Sequence, residues 1–180
     1  MRVIFYLLVV SFLFDEHGLV KYFEKKANYL SFNIFLLLET IGLCIFFYQV
    51  LASSLIRKIL IFVFPFLVGF WIFEFYKNSR YDILNHFIAA EQTLILFLII
   101  NFYYQELAKQ NASYAYLTTR FWVVTAFFVY SAGTFFLLLY LPSLEFAEKT
   151  KYYVWNYVFI IIRTFLLSIA MFMKNNNKPI

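Results

Sequence analysis

The sequence contains few of the residues that interrupt helices or bind metals. Its 180 residues include only 4 Gly, 3 Pro, 2 His and 1 Cys. Because Gly and Pro are the main helix breakers, their scarcity predicts long, uninterrupted helices. The lone Cys44 excludes an internal disulfide framework, and the two histidines lack the i, i+4 spacing of zinc ligands carried on a helix. We predict an all-α chain with no cofactor, and the sequence shows no recognisable catalytic grouping.

Charge is scarce as well. Charged residues make up 14% of the chain and hydrophobic residues 64%, with a mean hydropathy of +0.76. Soluble domains carry about 25% charged and about 45–50% apolar residues. Both differences predict a surface that mostly faces lipid. The net charge of +5 is spread over the connections and forms no basic stripe, which argues against binding of nucleic acid.

Five stretches are long and apolar enough to cross about 30 Å of hydrocarbon as helices. They are Ser31–Leu51, Lys58–Phe75, His86–Tyr104, Phe121–Leu141 and Tyr153–Met173. The charges lie mainly in the short connections between them, and a polar tail follows from residue 174 to 180. The prediction is a single domain, a polytopic bundle of transmembrane helices.

The first apolar segment, Val3–Phe14, is short for a span and ends at Asp15 and Glu16. It lacks the small-residue cleavage pattern that follows the apolar part of a signal peptide. We interpret it as a short or tilted span, which makes six spans in total. The alternatives are five spans, or a first helix whose beginning lies upstream of this sequence.

With six spans, basic residues do not decide the orientation of the chain. Seven lie on each side of the membrane, so the positive-inside rule gives a tie. One side carries Arg2, Arg57, Lys58, Lys109, Arg120, Lys174 and Lys178, and the second side carries Lys21, Lys25, Lys26, Lys77, Arg80, Lys149 and Lys151. Acidic residues concentrate on the second side, which weakly favours both termini in the cytoplasm.

Three ionisable residues, Glu39, Glu91 and Arg163, lie inside the apolar stretches. A charge at the centre of a bilayer costs about 2.5–3.5 kcal/mol on insertion scales, so each needs a partner or an aqueous pocket. The helical rise places Glu39 and Arg163 at similar depths, about 13 and 16 Å from the second side. Glu91 and Asn156 are shallower, at about 7 and 6 Å.

These depths suggest a polar cluster that opens toward the second side. One interpretation is a structural ion pair of Glu39 with Arg163 that holds two helices together. The other is a binding site for a ligand, an ion or a proton, with Glu39, Glu91, Asn156 and Arg163 as its candidate residues. Further polar residues that would complete the pocket are Gln92, Thr93, Tyr130 and Thr134.

Small residues mark a second kind of helix contact. Ser131-Ala132-Gly133-Thr134 predicts that a partner helix approaches the fifth stretch closely, as small residues allow in bilayers. Pro65 and Gly69 occur within the Lys58–Phe75 stretch. A proline at this position predicts a kink that neighbouring helices accommodate.

Several short patterns are distributed along the chain from about Tyr22 onward. They are Asn33-Ile34-Phe35 before Leu38-Glu39, Ala90-Glu91-Gln92, Phe121-Trp122-Val123-Val124, Tyr130-Ser131-Ala132-Gly133-Thr134, and Trp155-Asn156 before Arg163. Together they resemble a group of small multi-pass membrane proteins of Bacteroidota-type bacteria that has no established activity. Members of that group have a longer first helix, and Val3–Phe14 departs from it. The resemblance implies the bacterial inner membrane, as does a residue usage rich in Phe, Ile and Tyr.

Three functional classes are compared, and the third, an intramembrane enzyme that acts on lipid, lacks a convincing nucleophile or acid–base pair in this sequence. The first is a non-enzymatic sensory or accessory subunit that binds a partner protein, a second copy of itself or a small ligand through its helices. The second is a small transporter or ion-conducting protein that uses Glu39, Glu91 and Arg163. Transporters of this kind often carry repeats with broken helices, and this sequence shows no internal repeat.

The predicted ion pair leads to a double-mutant experiment. Arg163→Leu should lower the melting temperature in detergent, because it leaves the Glu39 carboxylate uncompensated. Adding Glu39→Leu should recover much of that loss, since removing both charges costs far less than removing one. Thermal unfolding of the wild type, both single variants and the double variant provides the measurement. Losses that simply add would show that the two residues do not interact.

Overall fold

The computed structural model describes residues 6, 9, 29–77, 84–108, 118–140 and 146–173. Within these ranges the chain forms five long helices and no strand. The helices are α1 (Tyr29–Val50), α2 (Ser54–Lys77), α3 (Asn85–Leu107), α4 (Thr119–Tyr140) and α5 (Phe146–Phe172). All five are long and apolar enough to cross a membrane. The predicted all-α architecture of multiple spanning helices is therefore confirmed.

The helix ends lie within about four residues of the predicted boundaries, except at the start of α5. This helix begins at Phe146, so Glu148, Lys149 and Lys151 lie within it rather than in a connection as predicted. The candidate span inside α5 is Val154–Phe172. Hydropathy marks where a helix enters hydrocarbon, whereas Glu and Lys are good helix formers that let it continue beyond that boundary. The predicted first segment lies outside the described residues, apart from Tyr6 and Val9, which are helical and exposed.

The exterior of the described helices is apolar, unlike that of a soluble protein. Large apolar side chains are exposed on every described helix, among them Phe62 at 68%, Phe66 at 64% and Ile161 at 67%. Polar and charged side chains are buried instead; those below a tenth exposed are Asn33, Glu39, Thr40, Glu74, Glu91, Gln92, Thr119, Ser131, Thr134 and Arg163. An apolar exterior, with polar side chains buried beside an apolar core, is what a bilayer favours, because lipid tails solvate apolar groups only.

The described residues form two compact units that meet at the Glu91–Gln92 peptide within α3. In the first unit, α1 and α2 are joined by the tight turn Leu51–Ser53. The Ser53 hydroxyl accepts a hydrogen bond from the Ile56 amide at 3.5 Å and caps α2. Arg57 Nε donates to the Leu51 carbonyl oxygen at 2.7 Å, and its guanidinium lies 5.8 Å from the centre of the Tyr48 ring. Arg57 therefore connects the start of α2 to the end of α1.

Helix α2 has a narrow buried face. It continues through Pro65 without a break, and its buried residues are Leu60, Leu67 and Glu74. These three are spaced seven residues apart, which is two helical turns, so they form a single seam along the helix. The other residues of α2 are exposed or half-buried within the described part of the chain.

In the second unit, α4 and α5 pack against each other as antiparallel helices. Thr119 Oγ1 donates to the Met173 carbonyl oxygen at 3.1 Å, and an ideal Cβ on Gly133 would lie 2.5 Å from the Phe159 ring. As the residue number rises along α4, that of its partner falls along α5. The predicted close approach of a helix to the Ser131–Thr134 segment is thus confirmed, and α5 is the helix that approaches.

This contact predicts different effects for two glycine substitutions. Gly133→Ala should destabilise the protein by about 1–3 kcal/mol, because the new methyl group overlaps the Phe159 ring. Gly69→Ala is the matched control, since nothing lies within 4 Å of the added methyl group and alanine is the better helix former. Thermal unfolding in detergent measures both effects. Equal stability of the two variants would contradict the close α4–α5 contact.

Candidate functional site

The best-defined polar contact of the first unit joins the middle of α1 to the start of α3. The Thr40 hydroxyl oxygen lies 2.6 Å from Oε1 of Glu91 and 2.8 Å from the carbonyl oxygen of Leu36. Glu91 is 1% exposed and Thr40 is 2% exposed. Thr40 is the central residue of the span Leu30–Val50, and Glu91 lies about 9 Å along α3 from Asn85. A carboxyl group is therefore held inside the first unit by a hydroxyl at mid-membrane depth.

Two further ionisable side chains of α1 lie close to Thr40 in sequence. The thiol of Cys44, one helical turn beyond Thr40, is buried and interacts electrostatically with the Glu91 carboxyl. Glu39 directly precedes Thr40 and is 7% exposed. The first unit thus buries the carboxyl-bearing side chains of Glu39 and Glu91, both of which were predicted as candidates.

A third carboxylate, that of Glu74, binds the start of α3. Its Oε1 accepts a hydrogen bond from the His86 amide at 3.2 Å, and its Oε2 accepts one from the Phe87 amide at 2.7 Å. The first amides of a helix have no partner within the helix, and the residue before α3, Leu84, has no side-chain acceptor. Glu74, which is 3% exposed, replaces the missing cap from the neighbouring helix α2. A negative charge is also favourable at this end of the helix dipole.

A hydrogen bond from Trp71 connects α1 and α2 near the same end. Trp71 Nε1 donates to the carbonyl oxygen of Asn33 at 3.0 Å, and its ring stacks on Phe75 with 4.8 Å between ring centres. Asn33 is fully buried. Trp71 and Glu74 are three residues apart on one face of α2, so both help to position the helices that carry Thr40 and Glu91.

In the second unit, Arg163 lies against aromatic rings of α4. Its guanidinium carbon is 4.2 Å from the centre of the Tyr130 ring and 5.9 Å from that of Phe127. Arg163 is 7% exposed and is the central residue of the span Val154–Phe172, in agreement with its predicted depth. A desolvated cation–π contact of this kind contributes about 2 kcal/mol or more. The two aromatic rings help a cation to exist within hydrocarbon.

The other predicted pocket residues have different environments. Asn156 is half-buried, Thr93 is exposed and Gln92 is buried. The hydroxyl of Thr134 donates to the Tyr130 carbonyl oxygen at 2.8 Å within α4. Glu39 and Glu91 belong to the first unit, whereas Arg163 and Asn156 belong to the second. The pairing of Glu39 with Arg163 and the pocket that combines all four residues stay predictions.

The sequence reasoning missed Thr40 and the role of Glu74. A threonine within an apolar helix does not by itself predict a contact, and the only polar neighbour that draws attention to Thr40 is Glu39. Glu74 is one of the acidic residues that the sequence places on the second side. In the structure it is buried and caps the start of α3. The sequence feature that points to this role is Leu84, the residue before α3. Because leucine cannot cap a helix, the first amides of α3 need an acceptor from another part of the chain.

No family model, curated protein or solved structure matches this chain. The described helices are long and apolar enough to be compatible with a multi-pass integral membrane protein.

The cap formed by Glu74 predicts a local effect on α3. Glu74→Leu should destabilise the protein by about 1–3 kcal/mol, because the two amides lose a buried acceptor. Glu74→Gln should have a smaller effect, since its single amide oxygen can still accept. Hydrogen exchange of the His86 and Phe87 amides, together with thermal unfolding, measures the change. The neighbouring Phe73→Leu is the control, because Phe73 is 61% exposed. Unchanged exchange in Glu74→Leu would refute the cap.

Proposed function

We propose that this chain is a non-enzymatic protein of the bacterial inner membrane, acting as a sensory or accessory subunit. It binds a partner protein or a small ligand through its helices. The resemblance to small multi-pass proteins of Bacteroidota-type bacteria is part of this proposal and supports the inner membrane as its location.

The observation that supports the proposal is the exposure of large apolar side chains on the described helices. Among these helices, α2 and α5 bury the smallest share of their candidate spans, 17% each. On α2 the buried residues are only Leu60, Leu67 and Glu74, so most of its surface can contact lipid or a partner.

A small transporter or ion-conducting protein is the second candidate. The observation that favours it is the burial of three ionisable side chains at membrane depth: Glu39 is 7%, Glu91 1% and Arg163 7% exposed. Intramembrane ionisable residues often mark ion or proton pathways. The same residues also stabilise contacts between helices, which is why this candidate comes second.

The partner-binding proposal predicts a specific crosslinking pattern on α2. A photo-crosslinking residue in place of Phe62 or Phe66 should give one discrete protein adduct of constant mass in native membranes. The two positions are 68% and 64% exposed and one helical turn apart, so one partner surface can reach both. An adduct of twice the mass of the chain would identify a second copy as the partner.

Leu67, which is 7% exposed, is the control position and should give no adduct between molecules. Lipid adducts alone at Phe62 and Phe66 would count against a protein partner on this face of α2. The transporter alternative predicts that result.

A further inference from the structure

Pro65 deprives one backbone oxygen atom of α2 of its usual hydrogen bond. In a helix each amide donates to the carbonyl four residues earlier, and proline has no N–H, so residue 65 donates nothing to the Ile61 carbonyl oxygen. Pro65 is exposed and lies at the middle of the candidate span Ser54–Lys77, where lipid tails offer no donor. Ile61 is 59% exposed, so a donor from another molecule can approach its carbonyl.

The exposed face of α2 around Pro65 alternates between large and small residues. A spacing of three or four residues places them on one side of the helix. They are Phe62, Pro65, Phe66, Gly69 and Phe73. Nothing lies within 4 Å of a Cβ added at Gly69, so the recess between the neighbouring rings is open. None of these five side chains carries a hydrogen-bond donor, so the same face of a second α2 helix cannot bond to the Ile61 carbonyl.

Helix α5 has an exposed row with the same spacing, and this row does carry donors. Its members are Ile161, Thr164, Phe165, Ser168 and Phe172. Thr164 follows Arg163, the central residue of the span Val154–Phe172, so Thr164 and Pro65 both lie at mid-membrane depth.

The hydrogen of the Thr164 hydroxyl can be redirected at little cost. The hydroxyl donates to the Ile160 carbonyl oxygen at 2.9 Å, within its own helix. That carbonyl is also the helical acceptor for the Thr164 backbone amide. If the hydroxyl turns to an acceptor on another molecule, the Ile160 carbonyl therefore keeps one hydrogen bond.

We propose that the partner of this chain is a second copy of itself, in which α5 packs on the exposed face of α2 and Thr164 donates to the Ile61 carbonyl. The proposal rests on the partner-binding function above, because it names the partner. Small residues and hydroxyl groups are typical of helix contacts in bilayers, where they allow close approach and hydrogen bonds between helices. The large side chains of each row fit beside the small residues of the other, and a lipid tail would leave the Ile61 carbonyl without a donor.

Energy transfer between dye-labelled copies of the full-length protein tests the proposal. Purified protein in phosphatidylcholine vesicles, measured over a range of lipid-to-protein ratios, gives the association constant. Thr164→Val should weaken association about three- to fifteenfold, which is the range for hydrogen bonds between membrane helices. Thr164→Ser retains the hydroxyl and should associate as the wild type does.

Pro65→Ala tests the acceptor, since it restores the amide that bonds to the Ile61 carbonyl within α2. Association should weaken by a similar factor, while the melting temperature in detergent stays the same or rises, because alanine is the better helix former. Unfolding could not then explain the loss. In the Pro65→Ala background Thr164→Val should have no further effect, because the two residues act through one hydrogen bond.

Thr93→Val is the matched control, since it removes an exposed hydroxyl from α3 and should leave association unchanged. Energy transfer no greater than random mixing gives would overturn the second copy as partner. Wild-type association in Thr164→Val, or an equal loss in Thr93→Val, would overturn the contact as well. Crosslinking at Phe62 and Phe66 separates these failures from that of the proposed function. An adduct with a different protein contradicts only the second copy, whereas lipid adducts alone contradict both.

Discussion

Lipid tails offer no hydrogen-bonding partner, so polar groups within a spanning helix have to find partners in the protein itself. This constraint accounts for most of the specific contacts between the described helices. Thr40 binds Glu91, Trp71 binds the Asn33 carbonyl, and Glu74 binds two amides of α3. Apolar burial contributes little specificity in this setting, because a leucine is solvated as well by lipid as by another helix. The polar contacts determine which helices meet and at what level.

The second unit satisfies the same constraint by close packing and aromatic contact. Gly133 lets Phe159 of α5 approach the backbone of α4, and Arg163 one turn further along α5 reaches the Tyr130 ring. The close packing at Gly133 and the cation–π contact of Arg163 thus lie on neighbouring turns of the same helix pair. A larger residue at position 133 would push α5 outward and lengthen the contact between the guanidinium and the ring.

Arg163 and Glu91 are both buried and ionisable, but their surroundings differ. Arg163 lies beside aromatic rings that stabilise a permanent cation. Glu91 lies beside the hydroxyl of Thr40, at 2.6 Å from its oxygen. Both environments are compatible with each of the two proposed functions.

The amino-acid sequence by itself determined the membrane-spanning class, the five long helices and the burial of Glu39, Glu91 and Arg163. These follow from hydropathy over about 20 residues and from the cost of a charge in hydrocarbon, both of which are local properties. Only the tertiary structure showed that Thr40 is the partner of Glu91 and that Glu74 caps α3. The atoms of each pair come from different helices, and their meeting depends on how the helices rotate and pack. Hydropathy contains no information about that rotation, because an apolar helix presents similar faces to lipid in every direction.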